Sequence, residues 1–220
     1  MSRYLVLLSL TLGLCGCGPI AESFNQKGAK AFGQGDLGTA KRQFQRAVLL
    51  SGSNPAYHNN LGYVLYQMKD YDGAEGEFQK ALAGYPGEKL LRQIQVDQAL
   101  LYCDANAAVE KPSHKDWNGK GIEILRQLLQ NDTENAEFHM RLGFAYFRAA
   151  NPGGGFAELD RAVELATPEQ TAHYTSNPVE GALSILRQVE QFYIKVRLFQ
   201  KAAVIEKKVQ KLQKNGSSKS

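Results

Sequence analysis

Four histidines, at positions 58, 114, 139 and 173, and three cysteines, at 15, 17 and 103, are the residues of this 220-residue chain best suited to chemistry. Their spacing speaks against most of it. A helical metal site needs two ligands about one turn apart, as in His-Glu-x-x-His, and these histidines are far apart. His58 and His139 fall at equivalent places in a repeated pattern, where packing explains them better than ligation. Neither a Gly-x-Ser-x-Gly nucleophile turn nor a phosphate-cradling Gly-x-x-x-x-Gly-Lys run occurs. Gly153-Gly154-Gly155 follows Asn151-Pro152 and reads as a turn between helices. The chain is expected not to be an enzyme, with no catalytic set, no metal and no cofactor other than a covalent lipid.

The cysteines carry the one chemical expectation. Arg3 provides a short basic start, and the apolar run Tyr4–Leu14 is too short for a bilayer span of about 20 residues but suits the hydrophobic part of a secretory signal. The run ends in Leu14-Cys15-Gly16-Cys17, which resembles the bacterial lipobox: aliphatic Leu14 lies three before Cys17, and small Gly16 directly before it. That resemblance implies a signal peptide over 1–16, acyl chains on Cys17 and a lipidated linker over 17–20. The alternative is an ordinary cleaved signal with Cys17 merely near the cut. Gly18 stands where an inner-membrane retention Asp would be expected, so the implied location is the outer membrane, facing the periplasm. Cys103 then remains alone, a small partly buried hydrophobe within a helix, the alternative being a reactive thiol.

Elements that could position a binding surface show themselves as a period. Gly28 and Gly62 are 34 residues apart, as are Ala40 and Ala74, Phe44 and Phe78, and Ala47 and Ala81. Glycine inside a helix costs about 1 kcal/mol relative to alanine, so its recurrence argues for a close helix crossing. Phe44 and Phe78 would fill the inner face of the second helix, with the alanines as small neighbours at helical spacing. Gly35-Asp36-Leu37 and Lys69-Asp70-Tyr71 mark the turns, and Pro86 ends the second unit.

This pattern resembles the tetratricopeptide repeat (TPR) family, whose period is 34. The resemblance implies an all-α fold: a right-handed superhelical solenoid of TPR helix pairs over 21–169, closed by a C-terminal capping helical hairpin. Units fall at 21–54, 55–88 and 136–169. A third, irregular unit between them matches only with an insertion near 107–119 that holds Pro112, His114 and Trp117. Residues 170–213 would form the last helices, about 179–196 and 199–213, as a degenerate fifth unit or a cap, with Glu190 where a small residue is expected. Residues 214–220 read as a disordered tail. Without residues 1–16 the formal charge falls from +4 to +3, too mild to imply nucleic acid.

In this family the concave groove is lined by the first helix of each unit. Carried over by position, that implies a partner-binding set of Asn25 and Phe32, then Asn59, Tyr63 and Tyr66, then Met140, Phe144 and Phe147 with Arg148 at the edge. Tyr63, Tyr66, Phe144 and Phe147 could dock an apolar helix or extended peptide, or could pack against the adjoining unit. Asn25 and Ala29 stand where a carboxylate clamp would need lysine and asparagine, so no such clamp is expected. Trp117 is a candidate loop contact, or folds back onto the next helix. The implied function is a membrane-anchored periplasmic protein–protein interaction scaffold, similar to the pilotin-like lipoproteins of type IV and Tad pili, that assists assembly of a pilus or secretion complex. Its protein partners would be secretin or pilus subunits. The alternative is an outer-membrane adaptor recruiting peptidoglycan hydrolases or synthases.

Overall fold

Eleven helices and no strand make up the described residues, which in this computed structural model are 17–108, 114, 116–173 and 175–217. The expected signal peptide therefore lies outside them. The chain divides into two compact units, 1–94 and 95–220. The first holds two helix pairs: α1 (Cys17–Gly33) with α2 (Leu37–Leu50), and α3 (Pro55–Gln67) with α4 (Tyr71–Ala83). The long α5 (Glu88–Ala108) leads into the second. There follow α6 (Trp117–Asn131), α7 (Ala136–Arg148), α8 (Pro152–Leu165), the short α9 (Pro168–Thr171), α10 (Pro178–Lys195) and α11 (Phe199–Ser217). The all-α arrangement of consecutively packed helix pairs is the fold the repeat implies.

Two boundaries differ from expectation. Residues 17–20 are the first turn of α1 rather than a linker, and 214–217 continue α11 rather than forming a disordered tail. The turns themselves are set by short polar residues. Asp36, Asn54, Asp70, Asn135, Asn151, Thr167 and Asn177 each accept a hydrogen bond from a backbone N–H of the helix they precede. Such caps satisfy donors that the first turn leaves without a helical partner, at about 1 kcal/mol each. Proline at the start of α3, α8, α9 and α10 is compatible because that position needs no N–H.

Four pairs close through one turn. Gly35, Lys69, Ala150 and Arg197 adopt φ of 78°, 63°, 55° and 63°. The next residue's N–H reaches back five positions in every case: Asp36 to the Ala31 carbonyl (3.0 Å), Asp70 to Leu65 (2.9 Å), Asn151 to Tyr146 (2.9 Å) and Leu198 to Tyr193 (2.8 Å). This is the Schellman closure of a helix end. The same closure recurs between α10 and α11, where Glu190 stands in the small-residue column.

Inside the pairs the glycines allow contact that no side chain could share. A Cβ on Gly28 would lie 2.7 Å from the Phe44 ring, one on Gly62 2.8 Å from Phe78, and one on Gly143 2.8 Å from Leu159. In the irregular pair the relation is reversed: a Cβ on Gly121, of the second helix, would lie 2.6 Å from the Cys103 sulfur of the first. The cores follow from these crossings. Ala21, Ala47 and Tyr57 join α1, α2 and α3, with Phe24 and Val48 against them. In the second unit, Ala99, Cys103, Leu125, Phe138 and Leu142 join α5, α6 and α7. A larger cluster runs from Met140 and Leu159 to Leu186, Tyr193 and Ile205. Buried Tyr193 donates its hydroxyl to Asp160 (2.7 Å), which also binds Lys201 (2.6 Å).

A polar latch recurs beside two of the crossings. His58 meets the Glu77 carboxylate through Nδ1 at 2.6 Å and the Gly52 carbonyl through Nε2 at 2.8 Å. His139 does the same with Glu158 (2.5 Å) and the Thr133 carbonyl (3.0 Å). At His139 both ring partners are acceptors, so a ring that satisfies both donates twice and is cationic. Lys80 sits on Glu77 at 2.7 Å in the first latch, and Arg161 faces the second. Burial pulls the His139 pKa down, but the hydrogen bonds to Glu158 and to the Thr133 carbonyl outweigh it and raise the pKa above 6.5.

Two measurements test these contacts. Gly62→Ala forces a Cβ against Phe78, which is fully buried and cannot swing away. It is expected to lower unfolding free energy by about 1–3 kcal/mol in urea titrations. Gly76→Ala, in the middle of α4 with nothing within 4 Å of a new Cβ, should raise it by about 1 kcal/mol. For the latch, a raised folded pKa means stabilisation that is complete below the unfolded value and lost as pH rises through the folded one. The urea midpoint of His139→Phe should therefore trail the wild type at about pH 6, and the gap should narrow by about pH 9. A gap independent of pH would exclude the charged latch.

Candidate functional site

The expected groove residues of the first unit come together. Phe32, near the end of α1, meets Tyr63 of α3 edge-on, with ring centroids 5.5 Å apart. Tyr63 and Tyr66 follow at 5.9 Å, and Tyr66 and Tyr71 at 6.4 Å, so four rings from α1, α3 and α4 form one ladder. Phe32, Tyr63 and Tyr66 are half-buried, whereas Tyr71 is buried. The α-helical spacing of Tyr63 and Tyr66, three residues apart, places both on one face of α3. Asn25 lies on the same face of α1 and accepts a hydrogen bond from the Asn60 amide at 2.8 Å. The expected neighbour, Asn59, is instead buried one position round the helix. Asn60 was missed because the 34-residue period carries Asn25 onto Asn59, whereas the contact is made by the next position.

The second unit does not provide the matching surface. Met140 is 1% exposed and belongs to the core with Leu159 and Leu186. Phe144 and Phe147 are partly buried against α10, with Phe192 centred 5.3 Å and 4.6 Å from them. Phe147 also meets Phe156 edge-on at 4.8 Å. Met140 is taken up by the core, whereas Phe144 and Phe147 stay half-buried where α10 lies against α7. Arg148 is exposed beside this cluster. Burial pushes the Cys103 thiol pKa up against the pull of the Arg148 guanidinium, which leaves the sulfur an inert packing group.

Trp117 is likewise not a loop contact. It is the first residue of α6, only 5% exposed, stacked on His114 at 3.8 Å and edge-on to Tyr102 at 5.3 Å. Its neighbour Asn118 donates to the Ala145 carbonyl at 3.0 Å. The remaining expected insertion residues fall partly in α5 and α6 and partly outside the described residues. Among the described residues, no three of His, Cys, Asp and Glu come together as a metal site, and no helix is long and apolar enough to cross a membrane. As the chain's single tryptophan, Trp117 reports this packing directly. Its emission should be blue-shifted and poorly quenched by iodide in the native state, with both features lost on unfolding. Trp117→Ala should cost about 3–5 kcal/mol. Free quenching in the native state would show the ring to be at the surface.

Residues 26–89 match the tetratricopeptide repeat family in sequence. No curated protein matches the chain. Among solved structures, MamA 41-end from Desulfovibrio magneticus is similar over 90% of this chain and 98% of its own, with a TM-score of 0.63 and 16% identity. A thermophilic TPR protein of Thermus thermophilus covers 84% and 98%, at 0.54 and 17%. PilF of Pseudomonas aeruginosa covers 85% and 76%, at 0.55 and 15%. Identities this low speak to fold alone. The chain has the fold of the tetratricopeptide repeat proteins, and its residues 26–89 carry the family's sequence pattern.

Proposed function

We propose that this protein is a membrane-anchored periplasmic scaffold that captures a protein subunit of a pilus or secretion complex on the face formed by α1 and α3. The observation that carries the reading is the ladder Phe32–Tyr63–Tyr66. Rigid, half-buried aromatic side chains lose little entropy on binding and offer large contact area, the chemistry of binding hot spots. Asn25 and Asn60 beside them supply polar groups that fix the register of an extended or helical peptide. The tetratricopeptide match over 26–89 includes Phe32, Asn60, Tyr63 and Tyr66 of this face and supports a protein partner. The likeness to PilF accords with the pilus reading at the level of fold.

Anchoring rests on the lipobox-like Leu14-Cys15-Gly16-Cys17. Acyl chains on Cys17 would hold the aromatic face at the outer membrane and raise the local concentration of a tethered partner. No step requires bond chemistry by the protein; binding and placement are the whole mechanism.

The test is a crosslinked pull-down from membranes with wild type, Tyr63→Ala/Tyr66→Ala and Cys17→Ser. Wild type should recover a pore or pilus subunit. The double variant should weaken that capture by about 30-fold, the equivalent of about 2 kcal/mol at a hot spot. Cys17→Ser should release the protein from membranes while leaving the aromatic face able to bind. Recovery of cell-wall enzymes in place of pilus subunits would replace this reading with the peptidoglycan adaptor. Undiminished capture by a folded double variant would remove the α1/α3 face as the site.

A further inference from the structure

We propose that the α10–α11 turn and the outer face of α11 form a contact surface for an anionic lipid bilayer, separate from any acyl group on Cys17. The turn exposes apolar side chains that the core does not use: Ile194 is 48% exposed, Val196 40%, Phe199 61% and, further along α11, Val204 65%. Two exposed cations, Lys195 and Arg197, alternate with them. An apolar tip with cations on either side suits the boundary between acyl chains and headgroups, where aliphatic and aromatic groups enter and basic side chains stay with phosphate.

Charge is segregated to the same hairpin. Residues 194–217 hold Lys195, Arg197, Lys201, Lys207, Lys208, Lys211 and Lys214 against the single acid Glu206, a net +6. The whole chain carries +4, so the remaining residues sum to −2. Two of the seven cations are held internally. Lys201 binds Asp160, and Lys208 donates to the Val163 and Glu164 carbonyls. The other five are exposed.

Geometry sorts these residues onto one side. At 100° per residue, Phe199, Val204, Lys207, Lys211 and Lys214 fall within about 140° of arc on α11. The buried Ala202, Ile205 and Val209 lie on the opposite side, and Lys201 and Lys208 flank that inner face. Glu206, the one acid, falls outside the basic arc. An arc with cations and no acid suits the negative surface of an anionic leaflet, which attracts basic residues that lie close to it. Phe199 is the one aromatic among the four exposed apolar residues, and Ile194, Val196 and Val204 add no stacking platform for successive nucleic acid bases.

The experiment uses full-length protein carrying Cys17→Ser in every arm, so acylation contributes to none and the N-terminal residues are common to all. Co-sedimentation is measured with phosphatidylcholine vesicles, with and without phosphatidylglycerol. The parent should bind the anionic vesicles about tenfold more tightly and lose that advantage at high salt. Ile194→Ser/Phe199→Ser/Val204→Ser and Lys195→Glu/Lys207→Glu/Lys211→Glu should each remove about tenfold of the binding. All the altered side chains are exposed, and matching helical signal and melting temperature establish that each variant is folded. Equal binding by parent and both variants overturns the proposal. Loss with the charge variant alone also overturns it, since the apolar turn then contributes nothing.

Discussion

Backbone proximity inside each helix pair is the constraint on which the rest depends. Gly28, Gly62 and Gly143 let the second helix bring Phe44, Phe78 and Leu159 to within contact of bare backbone. A glycine inside a helix is a local loss of about 1 kcal/mol. The buried ring it admits returns more, about 1.5–3 kcal/mol for a large side chain taken fully from water. Once a pair is this close, the alanines at Ala40, Ala74 and Ala162 are the size that fits, and all three are fully buried.

Close pairing also determines what can happen at the edges. The four matched turns, each with one residue at positive φ and a backbone bond five residues back, impose the same reversal whether the special residue is Gly35, Lys69, Ala150 or Arg197. Only the first is glycine, so turn geometry here is held by the pair's packing as well as by residue type. The same economy explains the ladder in the first unit. Helices that approach closely leave the side chains of α1 and α3 half-covered, and Phe32, Tyr63 and Tyr66 fill that zone.

Much of this was legible in the sequence, and the reason is locality. Gly28 and Phe44, or Gly62 and Phe78, are partners 16 residues apart within one pair, so the constraint repeats with the repeat and shows as a period. Groove and packing stayed open alternatives for Phe144 and Phe147 because Phe192, which meets both rings, lies on α10 about 45 residues further on, where the pattern is degraded by Glu190. Trp117 was ambiguous for a similar reason: its partners Tyr102 and His114 flank an irregular connection with no periodic neighbour to compare. The latches were readable and overlooked. His58 to Glu77 and His139 to Glu158 share a spacing of 19 residues, a signal visible once the second helix is read in register with the first.

That recurring latch changes how order is distributed. Gly52 and Thr133 lie in the connections before α3 and α7, and the histidine ring ties each to a carboxylate on the second helix of the pair that follows. Connections of this kind ordinarily fluctuate open on their own, ahead of the helices they join. Here the connection and the pair share one cross-link, so the segment before α3 opens with α3 and α4, and the segment before α7 with α7 and α8. Each latched pair, with its leading connection, thereby becomes a single cooperative element, larger than the helices alone would define.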